Sequence, residues 1–148
     1  MRGRAALRLV RVERRERSGA FLAALCASRY GPLMPTWEDV VEIGTRLPDV
    51  EVATSFGTPA LRVRGKPMMC RLRSEPRALV LRVADMGERE ALLQGQPDVF
   101  FSTPHYDGHP YVLVRLESVD PTELAELLED AWRIRAPKRL VREFDAAR

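Results

Sequence analysis

Cysteine is nearly absent: Cys26 and Cys70 are the only two in 148 residues. They lie far apart and fit no metal-ligand spacing, so both are expected to be free thiols in a reducing compartment. Histidine is as scarce, with only His105 and His109. Lysine is reduced to Lys66 and Lys138, which makes arginine the habitual cation of this chain and any arginine cluster less telling. Long hydrophobic runs are missing too. The longest, such as residues 20–27, are far too short to span a bilayer. Also missing are a phosphate loop, a dinucleotide fingerprint, a metalloprotease helix and any grouping of nucleophile, base and orienter. These absences exclude the familiar enzyme classes by motif. A protein that is not an enzyme and has no cofactor is expected.

What is present suits one ordinary domain: 45% hydrophobic and 30% charged residues, in a chain long enough to bury a core. The net charge of +3 hides two unlike parts. Residues 1–33 hold eight arginines against Glu13 and Glu16, a balance of +6. The remaining 16 basic and 19 acidic side chains leave residues 34–148 at −3. The basic character therefore belongs to a leader and says little about what the domain binds. As an export signal the leader fails: its apolar part is short, its basic part contains two glutamates, and no cleavage site follows. Arg14-Arg15 is followed by Glu16-Arg17 where a twin-arginine signal needs apolar residues. Met34-Pro35-Thr36-Trp37 reads as a natural start, and the native product is expected often to begin there, leaving 34–148 as the single domain.

From Thr36 the local patterns are clear. Thr36 and Asp39 form a capping box. Trp37, Val40, Val41, Gly44 and Leu47 follow at helical spacing, and Pro48 ends the run. Gly44 on the apolar side would let this helix approach a sheet closely. Strands are expected at 51–56, 60–64, 67–73 and 78–84, then a helix capped by Asp85 and Glu88. Further strands at 99–103 and 111–118 would flank a turn at Asp107-Gly108. Asp120-Pro121-Thr122-Glu123 starts a long helix with Leu124, Leu127, Leu128, Ala131 and Ile134 as its core stripe. Ala136-Pro137 breaks it, and 138–144 forms a last short helix. The order implies an α+β domain, one antiparallel sheet with helices packed on one face.

Strand alternation assigns the faces. With a turn centred on Arg64-Gly65, Leu61, Val63, Met68, Cys70 and Leu72 share one side, and Arg62, Arg64, Met69, Arg71 and Arg73 share the other. Arg82 and Arg115 extend the second side, while Glu38, Asp39, Glu42, Glu123, Glu126, Glu129 and Asp130 lie on the helices. The domain would be basic on the sheet and acidic on the helices. A plain solvated face explains the arginines as well as an anion-binding face does, since an uncovered antiparallel face needs polar residues. Tyr111 and Phe101 are the stacking aromatics foreseen on it. His105-Tyr106-Asp107-Gly108-His109 has metal-ligand residue types, but three ligands on one loop with no fourth make a poor site, and a hairpin loop is expected.

Taken in order, several pieces resemble the MmcQ/YjbR family of small bacterial proteins. They are Trp37, Leu47-Pro48, Phe56-Gly57-Thr58-Pro59, Arg62-Val63-Arg64-Gly65-Lys66, Tyr106-Asp107-Gly108, Val112-Leu113-Val114, Ala131-Trp132-Arg133 and Ala136-Pro137-Lys138. The match runs over 34–144. Leu61, where an aromatic is usual, and His109-Pro110-Tyr111, where a tryptophan-containing segment is usual, depart from it. The resemblance implies a "double wing" fold, also likened to frataxin-like domains, and a DNA-binding label that rests on fold likeness. It offers no catalytic residues. The expectation is therefore a cytoplasmic, monomeric, nucleic-acid-binding protein with no membrane segment. Arg62, Arg64, Arg71, Arg73 and Arg82, with Lys66 at the tip, would contact phosphates. The alternatives are a protein-interaction adaptor, marked by an apolar patch around Met69, Val80 and Leu113, and a frataxin-like metal handler using Glu38, Asp39 and Glu42.

Overall fold

The computed structural model describes residues 35–148. The leader, Cys26 and the Met34 start lie outside the described residues. Helix α1 (Trp37–Gly44) leads into four strands, β1 (Val50–Ser55), β2 (Thr58–Val63), β3 (Met68–Ser74) and β4 (Arg77–Arg82). Helix α2 (Met86–Gly95), strands β5 (Phe100–Phe101) and β6 (Tyr111–Val114), and helices α3 (Pro121–Arg135) and α4 (Lys138–Ala146) complete the order. The strands form one antiparallel sheet in the order β1-β2-β3-β4-β6-β5.

The helices begin where their caps say. Thr36 accepts from the Asp39 amide while the Asp39 carboxylate accepts from the Thr36 amide at 2.8 Å. Asp85 caps α2, and Asp120 caps α3 with Pro121 at its first position. One face of the sheet carries Leu61, Val63, Cys70, Leu79, Leu81, Val112 and Val114 into a core closed by Val40 of α1, Leu140 of α4, and Leu124, Leu127, Leu128, Ala131 and Trp132 of α3. Ile134, at the end of the α3 stripe, is only half buried. Gly44 permits the close approach of α1: a Cβ there would stand 2.4 Å from Leu61 Cδ1. Trp132 ties the layers together, its indole N–H donating to the Pro48 carbonyl at 2.8 Å. That bond links two of the sequence pieces that marked the family resemblance.

One expectation is corrected. The β2–β3 turn is centred on Arg64-Gly65, with Gly65 at φ +75 and Lys66 N–H donating to Val63 O. Its handedness is not that of the primed turns that match sheet twist, and a bulge follows: Leu61 pairs with Cys70, but Arg62 pairs with Met68. Met69, the extra residue, enters the core, and Met68 moves to the arginine side, reversing their expected places. Residues 102–110 form the expected hairpin loop, joining the antiparallel pair β5 and β6. A 3-10 turn at Pro104–Tyr106 folds back onto the sheet and seats Tyr106 on Ala78, Val80 and Leu113.

Candidate nucleic-acid interface

The face away from the helices is built from alternate residues of β2, β3, β4 and β6. Register places Ala60 beside Arg71, Arg71 beside Val80, and Val80 beside Leu113. Arg73 stands beside Ala78, and Arg82 beside Tyr111. Small and apolar neighbours leave room for arginines to lie flat, and each meets an aromatic ring. Arg71 lies over Phe56 at 5.5 Å, Arg73 over Tyr106 at 5.8 Å, Arg82 over Tyr111 at 5.8 Å and Arg115 over Phe101 at 4.3 Å. The surface is thus an arginine–aromatic mosaic rather than a bare cationic sheet.

The foreseen residues fall into two groups. Arg71 and Arg73 meet at the end of the sheet where the β1–β2 and β3–β4 turns lie. Arg62, Arg64, Lys66 and Arg82 lie toward the other end. Arg64 and Lys66 are exposed at the β2–β3 tip. Arg62 is engaged by Glu51, its Nε 2.7 Å from Oε1, an exposed pair of little net worth. Arg82 is half buried, and its Nε has no hydrogen-bond partner among the described residues.

Arg71 is the unusual member. Only two described arginines are buried, Arg71 at 8% and Arg89 at 5% exposure. Arg89, on α2, has the carboxylates of Glu90 at 3.2 Å and Asp107 at 3.9 Å. It also donates to Tyr111 O and Ser102 Oγ, which clamps the fold-back segment to the helix. Arg71 has no carboxylate partner among the described residues. Its guanidinium donates to Thr58 Oγ1 at 3.3 Å and to the Tyr106 hydroxyl, and its Nε has no partner among the described residues. A buried cation held only by neutral oxygens retains most of its desolvation cost. Arg73 likewise donates to neutral oxygens, the Glu75 carbonyl at 2.8 Å and Thr103 Oγ1 at 3.4 Å.

These two cations line a pocket of about 360 Å³ with Phe56, Thr58, Ser74, Glu75 and His105. Phe56 stands at its mouth, 87% exposed. It occupies the first position of the two-residue β1–β2 turn with φ +51, followed by Gly57 at φ +76. That turn type wants asparagine or aspartate first, and a bulky residue there stores strain, which points to a use for the ring. The sequence reading missed Phe56, Thr58, Tyr106 and His105 as parts of the site. The trace of Phe56, Thr58 and Tyr106 was the resemblance itself, since Phe56-Gly57-Thr58-Pro59 and Tyr106-Asp107-Gly108 are two of its pieces.

The YjbR family model matches residues 45–134. The chain belongs to the YjbR family. Its relatives include the uncharacterized proteins Rv2570 of Mycobacterium tuberculosis and Mb2600 of Mycobacterium bovis, each 38% identical over 75% of this chain and 96% of theirs. Among solved structures it is similar to Deinococcus radiodurans protein DR2400, of domain family DUF419. That match has a TM-score of 0.57 and 25% identity, over 67% of this chain and 77% of the other. Within the YjbR frame, the arginine–aromatic face and its pocket belong to the part of the chain that the family model covers.

The other readings meet specific obstacles. Met69, Val80 and Leu113, the apolar patch that would mark an adaptor, are all buried at 0% exposure. Of the acids proposed for metal handling, Asp39 serves the α1 cap and Glu42 pairs with Arg46. Among the described residues no group of His, Cys, Asp and Glu has a metal-holding arrangement. Also among them, no helix is long and apolar enough to cross a membrane.

Proposed function

We propose that this YjbR protein is a non-enzymatic nucleic-acid-binding protein of the cytoplasm, acting as a monomer and holding phosphates on the arginine side of its sheet. The observation that carries the reading is Arg71, a buried cation without a counter-charge among the described residues, beside Arg73 and under the exposed ring of Phe56. Such a charge is stabilised when an anion arrives. Arg64, Lys66 and Arg82 extend the contact toward the far end of the sheet. An exposed aromatic among cations is the arrangement that holds unpaired bases, so single strands are preferred over duplex. No contact here promises base readout.

The test is a titration of the full chain with a fluorescent single-stranded oligonucleotide at low salt, alongside the Arg64→Glu/Arg73→Glu/Arg82→Glu variant. Both proteins carry the same leader, so their difference reports the sheet. The variant should bind at least roughly a hundredfold more weakly, and duplex of the same length should bind the parent less well than the single strand. Equal binding by parent and variant would remove the sheet from the function.

A further inference from the structure

The pocket carries more than a general attraction for phosphate. Its two guanidiniums come from alternate positions of one strand, Arg71 and Arg73, and neither is neutralised by a carboxylate among the described residues. The hydroxyls of Thr58 and Ser74 and the imidazole of His105 stand around them. At about 360 Å³ the space lies at the small end of ligand sites, closer to one nucleotide than to a strand. Phe56, at its rim, presents a ring that is 87% exposed on a turn whose backbone disfavours it.

We propose that this pocket is a site for a phosphomonoester joined to a base: the phosphate lies on Arg71 and Arg73, and the base stacks on Phe56. A phosphomonoester carries close to two negative charges near pH 7, where an internal phosphodiester carries one. Two guanidiniums without carboxylate partners among the described residues match the former, and its three terminal oxygens suit the paired guanidiniums and hydroxyls. Glu75 is the opposing charge on the rim, exposed to solvent. The proposal deepens the nucleic-acid reading and shares its ligand class, but it can fail separately. The same chemistry is offered by a free mononucleotide and by the phosphorylated end of a strand.

Calorimetry on the full chain with adenosine 5′-monophosphate, adenosine and inorganic phosphate tests it. The nucleotide should bind more tightly than either fragment. Phe56→Ala should weaken the nucleotide roughly 5- to 150-fold and leave inorganic phosphate unchanged. Arg73→Gln should weaken both by roughly tenfold or more, and Glu75→Gln should strengthen both. Arg73 is half buried and Phe56 exposed, so these variants test the site without touching buried Arg71. A 5′-phosphorylated oligonucleotide that binds more tightly than its 5′-hydroxyl twin identifies a strand end as the ligand; equal binding of the two identifies the free nucleotide. Absence of nucleotide binding, or binding indifferent to both Phe56→Ala and Arg73→Gln, overturns the proposal. If the unphosphorylated strand binds and the nucleotide does not, the pocket is rejected and the sheet reading stands. The reverse result rejects the sheet reading alone.

Discussion

Replacing Arg71 by methionine and Tyr106 by phenylalanine together should make the free protein more stable while destroying its anion site. Arg71 is 8% exposed and Tyr106 6%, so both changes act in the interior. Among the described residues the guanidinium has two hydrogen-bond acceptors, Thr58 and Tyr106, and its Nε has no partner. Hydrogen bonds to a charged group contribute about 1.5–3 kcal/mol each, and a buried unsatisfied donor costs about 1–3 kcal/mol. Replacing buried charged groups by apolar side chains of similar volume is often neutral or stabilising by about 1–4 kcal/mol. Among the described residues no carboxylate offsets the desolvation, so a gain of about 1–3 kcal/mol is expected for the double variant. In a chain of this size each kcal/mol raises Tm by about 3–5 °C. Tyr106→Phe alone takes the acceptor from the guanidinium and should cost about 1–3 kcal/mol. The single and double changes therefore differ in sign, with a coupling of about 1.5–3 kcal/mol. Guanidinium chloride unfolding followed by tryptophan fluorescence measures all four corners of the cycle, because Trp132 is fully buried. A double variant less stable than the parent by more than about 1 kcal/mol would refute the reasoning. Arg71 would then be a structural tie and not a waiting site.

Three further outcomes follow from the fold. Gly44→Ala places a Cβ 2.4 Å from Leu61 Cδ1, and Leu61 is itself 0% exposed, so the buried Leu61 side chain or the helix must shift; a loss of about 1–3 kcal/mol is expected in the same unfolding assay. Trp132→Phe leaves the Pro48 carbonyl without its donor and opens space in the core, which should cost about 2 kcal/mol or more. Burial pushes the Cys70 thiol from 9.0 up to about 12. The unfolded chain loses that proton first, so the contribution is complete below pH 9.0 and is lost as pH rises toward about 12. Cys70→Ala should remove a fall of about 1.4 kcal/mol per pH unit from the alkaline side of the stability profile; identical alkaline profiles for the two proteins would contradict the burial argument.

Much of the architecture is written locally. Thr36, Asp85 and Asp120 announce their helices because a cap is a contact over three residues, and Gly44 and Trp132 mark close approaches that the sequence pattern already isolates. The common side of Arg62, Arg71, Arg73 and Arg82 follows from strand alternation alone. What the alternation misses is set by tertiary geometry. The Met69 bulge answers a turn whose handedness does not fit the sheet, and no residue at 68 or 69 signals it. Tyr106 reaches the sheet because Val80, Leu113 and Arg71 make a seat for it, and those partners are distant in sequence. Phe56 reads as the end of a strand until its positive φ turns the ring over Arg71. Exposure was legible for Arg64 and Lys66. The burial of Arg71, on which the functional reading turns, was not, because the cover comes from the fold-back segment.

The most direct measurement is the salt dependence of single-strand binding by the full chain and by its Arg64→Glu/Arg73→Glu/Arg82→Glu variant. Each phosphate neutralised contributes about −0.7 to the slope of log K against log salt on single strands. Loss of three sheet contacts should make the variant's slope shallower by about 2, with weaker binding at every salt concentration. Parallel lines of equal affinity would assign all of the binding to residues off the sheet and contradict the account.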